Sequence, residues 1–201
     1  MTKFFILSWL LSSPTPGAST ESMVESRDID RACDSAAKYA NRHESAARTV
    51  ADVSGAVLAK KNEGTWKVFK NPKEMEGVGD DGAPNSQARV WVTPDRMTFV
   101  DAFFQSGSGD WAQFVAYCYR PDGTLARSKS TYNTFLTEDG DGVSVIRVRH
   151  YDPTGKIVGS QQKVLDLKTK KPVHKARFGD QPEPLFLKTE DLPFWALVGT
   201  G

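Results

Sequence analysis

Almost every motif by which a sequence declares its chemistry is missing from this chain. Histidine occurs three times, at His43, His150 and His174, and no two of them have the helical spacing of a metal pair. There is no Cys-x-x-Cys, no His-Glu-x-x-His, no Gly-x-Ser-x-Gly and no phosphate-binding loop. No catalytic residue, no metal ligand and no cofactor is therefore assigned. Charge of one sign is lacking too: 26 Lys+Arg against 25 Asp+Glu leave +1, so overall charge points to no nucleic-acid partner. After the first residues, no stretch is apolar enough to span a bilayer. Cysteine is scarce, with Cys33 and Cys118 alone.

The one strongly apolar stretch lies at the N-terminus. Lys3 precedes Phe4-Phe5-Ile6-Leu7-Ser8-Trp9-Leu10-Leu11, and Pro14, Pro16, Gly17, Ala18 and Ser19 follow. A basic residue, a short apolar run and small residues form the layout of a secretory signal. Residues 1–19 are read as a signal peptide, residues 20–201 as a single α+β domain, and the location as periplasmic or secreted. The alternative for this stretch is a buried N-terminal helix or strand. An oxidising compartment permits a bond between Cys33 and Cys118, and two buried thiols are the other reading.

What the chain does have is a train of alternating segments and tight turns between residues 90 and 167. Residues 118–125 read Cys-Tyr-Arg-Pro-Asp-Gly-Thr-Leu and residues 150–157 read His-Tyr-Asp-Pro-Thr-Gly-Lys-Ile. In both, Pro presets the first turn position and Gly takes the left-handed one, as in three-residue hairpin loops. Thr93-Pro94-Asp95-Arg96-Met97 is a related turn without the glycine. Further turns at 107–109 and 138–142 complete an antiparallel meander of about six strands. With a strand at 65–69 and an edge strand near 166–175, the fold class is α+β: a long N-terminal helix on a curved up-and-down sheet of about six to eight strands.

Three-residue loops pair Arg120 with Thr124 and Asp152 with Lys156, and this register sorts the side chains. Phe114, Ala116, Cys118, Ala126, Ile146, Val148, Val158 and Val164 share an apolar face, which also takes His150. Tyr117, Tyr119, Arg127, Lys129, Arg147, Arg149, Tyr151, Gln161 and Lys163 share a basic and aromatic one. Val115, Leu125, Val145 and Ile157 are exceptions on the basic face, Ser128 and Gln162 on the apolar face. The expected partner of the apolar face is a helix over 26–60, where Ile29, Cys33, Ala36, Ala40, His43, Ala47 and Val50 recur at helical spacing. Residues 71–87 form a polar loop, with a helical turn at 73–76. Phe194, Trp195 and Leu197 fold back as an apolar plug over the end of the sheet.

Tyr117, Tyr119, Arg127, Arg147, Arg149 and Tyr151 are the candidate binding residues. Tyrosine offers a flat amphipathic surface and arginine a forked donor for carboxylate or phosphate. That chemistry suits an anionic or amphipathic small molecule, or an acidic protein segment. The functional expectation is a non-enzymatic binding or interaction module. A small hydrolase with its site near His150, and a structural protein pairing through a sheet edge, are the alternatives. The acidic turn at 138–142 lacks the full ligand spacing of a calcium loop and is read as a plain turn.

Overall fold

The computed structural model describes residues 20–54, 64–75, 84–135, 137, 142–173 and 183–199. Residues 1–19, read as a signal peptide, residues 138–141 of the acidic turn, residues 55–60 of the expected helix and His174 lie outside them. Helix α1 spans Thr20–Arg42. Eight strands follow among the described residues: β1 (Arg48–Asp52), β2 (Trp66–Phe69), β3 (Ser86–Val92), β4 (Thr98–Gln105), β5 (Trp111–Tyr119), β6 (Leu125–Thr134), β7 (Val143–Tyr151) and β8 (Ile157–Asp166). They form one antiparallel sheet in the order β2-β1-β3-β4-β5-β6-β7-β8, so β3 to β8 are the expected six-strand meander. A short helix α2 (Trp195–Val198) lies near the C-terminus.

The helix is shorter than expected and the fold is mostly sheet. α1 stops at Arg42, where the His43 ring stacks on Tyr39 at 4.2 Å and its Nδ1 donates to the Tyr39 carbonyl at 2.9 Å. Thr49-Val50-Ala51 then enters the sheet between β2 and β3. Two adjacent β-branched residues favour the strand, and a partner is available on either side. The helical spacing of Ala47 and Val50 was coincidental.

α1 crosses the strands along a single row of paired residues. Trp91, Phe99, Cys118, Arg127, His150 and Gly159 are successive cross-strand partners from β3 to β8. Above them, Cys33 bonds Cys118 with Cα atoms 5.7 Å apart. Asp30 contacts both Arg127 and His150, and Ser26 lies over Gly159. One helical turn rises about 5.4 Å and strands lie about 4.8 Å apart, so the helix advances roughly one strand per turn. Ile29, Cys33, Ala36 and Ala40 pack on Trp91, Phe99, Cys118 and Ala126, and the small residues let helix and sheet approach closely.

The opposite face holds the larger core. Val50, Val90, Val100, Phe104, Val115, Tyr117, Tyr119, Leu125, Tyr132, Val145 and Tyr151 belong to one cluster with Leu192, Phe194 and Val198 from the tail. The C-terminal tail is seated on this side of the sheet, which is taken as its concave face. Phe194 is buried there and Trp195 partly so, whereas Leu197 stays exposed.

Candidate functional site

Both echoed hairpins close as three-residue loops. Arg120 N–H donates to Thr124 at 2.8 Å, Asp152 N–H to Lys156 at 2.9 Å, and Gly123 and Gly155 take φ of 83° and 87°. One residue beyond each loop the register changes. Tyr119 faces Leu125 but Cys118 faces Arg127, which leaves Ala126 as an extra residue. Tyr151 faces Ile157 but His150 faces Gly159, which leaves Val158 as an extra residue. The two copies thus carry the same β-bulge at the same place.

The bulges correct the expected sorting of faces. Tyr117, Tyr119, Arg147, Arg149 and Tyr151 do share one face, away from the helix. Arg127 and Lys129 do not: a bulge shifts every later residue by one, which turns them to the helix side and brings Ser128 and Ser130 to the concave side. Gln161 and Lys163 likewise face Val148 and Ile146 on the helix side, and Val164 faces Val145 on the concave side. Nor is the tyrosine face open to solvent. Tyr117, Tyr119 and Tyr151 are fully buried, Arg147 is buried and Arg149 half-buried. The earlier exceptions carried this information. Val115, Leu125 and Val145 are buried core, and Ser128 and Gln162 belong to the concave face.

What covers that face is a strap from the chain's own tail, residues 183–189. Tyr117 Oη donates to the Pro184 carbonyl at 2.6 Å and Tyr119 Oη to the Phe186 carbonyl at 3.2 Å. Two tyrosines two residues apart on one strand therefore read two carbonyls two residues apart on an extended segment. The Phe186 ring meets Tyr117 edge-on at 5.9 Å. Arg149 Nη1 and Ser130 Oγ both donate to Glu183 Oε2 at 2.9 Å. The Glu183 side chain is only 2% exposed, and its other oxygen has no partner among the described residues. A carboxylate this buried needs its cation, and the serine that the bulge delivers adds a second donor.

The hairpin loops hold the strap's far end. Leu125 N–H donates to the Leu187 carbonyl at 2.8 Å, and Thr189 N–H to the Gly123 carbonyl at 2.9 Å. A Cβ on Gly123 would stand 2.9 Å from Thr189 Oγ1, and one on Gly155 2.9 Å from Leu187 Cδ1. Both glycines are thus required twice, for backbone conformation and for room. Arg120 ties the two hairpins together by donating to the carbonyls of Leu125 and Tyr151. Burial, reinforced by Tyr119, Glu183 and Tyr151, drives the Tyr117 phenol well above its ordinary value. Burial does the same to Tyr119, with Asp191 and Tyr151 adding to it. Both remain neutral donors at physiological pH.

The remaining candidates have other surroundings. Arg127 donates to Asp30 at 2.7 Å and to Asp34 at 2.8 Å, which clamps α1 to the sheet. His150 is 3% exposed and its Nε2 lies 2.8 Å from Asp30 Oδ1. Arg147 Nε donates to Gln162 at 2.8 Å. The serines are not legible in the sequence because a bulge leaves little trace in composition, and the contact of the extended tail with the tyrosines is not because 67 residues separate the partners. No family model, no curated protein and no solved structure matches this chain.

Proposed function

We propose that the protein is an exported, non-enzymatic binding module whose concave face captures an extended, acidic and apolar chain segment, with the strap as its resident occupant. The observation that carries this reading is the paired hydrogen bonding of Tyr117 and Tyr119 to alternate carbonyls, beside an arginine and a serine that receive a carboxylate. Main-chain recognition gives affinity for any extended segment, and side-chain pockets give selectivity. The arrangement favours an acidic residue one position before the first bonded carbonyl and three before the aromatic residue, in the order Glu-Pro-x-Phe. Export is supported by the Cys33–Cys118 bond, which suits an oxidising compartment. No described helix is long and apolar enough to cross a membrane.

The test uses the full chain and a labelled peptide, Glu-Pro-Leu-Phe-Leu-Lys-Thr, the sequence of the strap itself. In the Glu183→Lys chain the strap is repelled by Arg149, so this variant is expected to bind the peptide at least tenfold more tightly than the unsubstituted chain. Adding Arg149→Glu is expected to abolish the gain. Equal binding by all three chains, or none by any, would remove the reading.

A further inference from the structure

α1 covers the convex face only along its own row. Two residues further along the strands lies a second row, Arg89, Asp101, Ala116 and Lys129, and beyond it a third that contains Phe103 and Phe114. Depressions of about 490 and 320 Å³ occupy this region and meet at Asp101 and Phe114. Asp34, Ala37 and Asn41 of α1 form one wall. Phe114, whose ring centroid lies 5.0 Å from that of Phe103, lines both depressions, and Ala116 lines the one beside α1. Phe114 is 46% exposed at mid-strand, a position where threonine or lysine would keep the sheet soluble.

Charge decides what this slot accepts. Arg89 is paired with Asp101 at 2.7 Å, and Arg127 is held by Asp30 and Asp34. Lys129, exposed at the other end of the floor, has no ion pair among the described residues. Lys129 is thus the one cation lining the slot that has no carboxylate partner among the described residues, and it shares the depression with Phe114. Lys129 and Asp101 lie on strands two apart, so roughly 10 Å separates their backbones across the floor of the slot. A flat or linear apolar body of that length would lie against Phe103 and Phe114, with its anionic group on Lys129. We propose that the slot binds an amphipathic monoanion, an organic acid with an apolar body of about 10 Å. This site is separate from the concave face and does not depend on the strap.

Titration calorimetry on the full chain, with decanoate, decylammonium and decanol below their micellar concentrations, tests the proposal. Decanoate is expected to bind at least tenfold more tightly than decylammonium. Phe114→Ala is expected to weaken decanoate at least tenfold, and Lys129→Glu to invert the preference in favour of decylammonium. Both positions are exposed, and near-ultraviolet circular dichroism verifies that the variants keep the fold. Absence of decanoate binding, equal affinity for the three probes, or an unchanged preference in Lys129→Glu would overturn it.

Discussion

Arg96 occupies a backbone position that glycine holds in the two echoed loops. Its φ is 61°, against 83° at Gly123 and 87° at Gly155, and Thr93 N–H donates to Met97 at 2.9 Å just as in those hairpins. Left-handed backbone costs a non-glycine residue roughly 1–2 kcal/mol, part of which glycine would lose again as unfolded-chain entropy. Arg96→Gly is therefore expected to stabilise the protein by about 0.5–1 kcal/mol, read from the urea midpoint at unchanged slope. The Pro-Asp start of this turn was legible in the sequence. Its register was not, because the seven residue pairs between β3 and β4 impose the loop geometry on a residue that would not choose it.

At the scale of the element, α1 is held by one carboxylate that serves two partners. Burial pushes the Asp30 carboxyl up, but hydrogen bonds from His150 and Arg127, with their charges, outweigh it and hold the pKa below the ordinary value. A depressed aspartate stabilises the fold above its unfolded-state value and loses that contribution as pH falls through its folded value. The difference in urea midpoint between the parent chain and Asp30→Asn is expected to be larger at pH 5 than at pH 3, narrowing as the pH falls below about 4. A difference that does not change with pH would show that the carboxylate charge does not hold the helix. The helix's apolar stripe was readable from Ile29 to Ala40. Its end was not, because Ala47 and Val50 keep helical spacing although the sheet claims Val50 and Ala47 closes the turn that leads into it. The face assignment failed in a similar way: alternation identified two faces on β5 and β7, and a single extra residue in each hairpin exchanged them on β6 and β8.

Across the whole molecule, the Cys33–Cys118 bond joins an N-terminal helix to a central strand over 85 residues of chain. Closing a loop of that length removes about 4–5 kcal/mol of unfolded-state entropy in the chain-entropy model. Replacing both cysteines by alanine is expected to lower the unfolding free energy by up to that amount, measured by urea denaturation. The loss should resemble that produced by reducing the parent chain, because both sulfurs are buried and the alanines keep the small-residue contact. The sequence by itself determined the hairpin loops, the meander and the pairing of small residues between helix and sheet, since all of these follow from local turn chemistry and short-range periodicity. Which face became the interior was decided only in three dimensions. Tyrosines and arginines look like a solvated surface until a strap from residues 183–189 supplies their carbonyl and carboxylate partners, and that contact joins parts of the chain 67 residues apart.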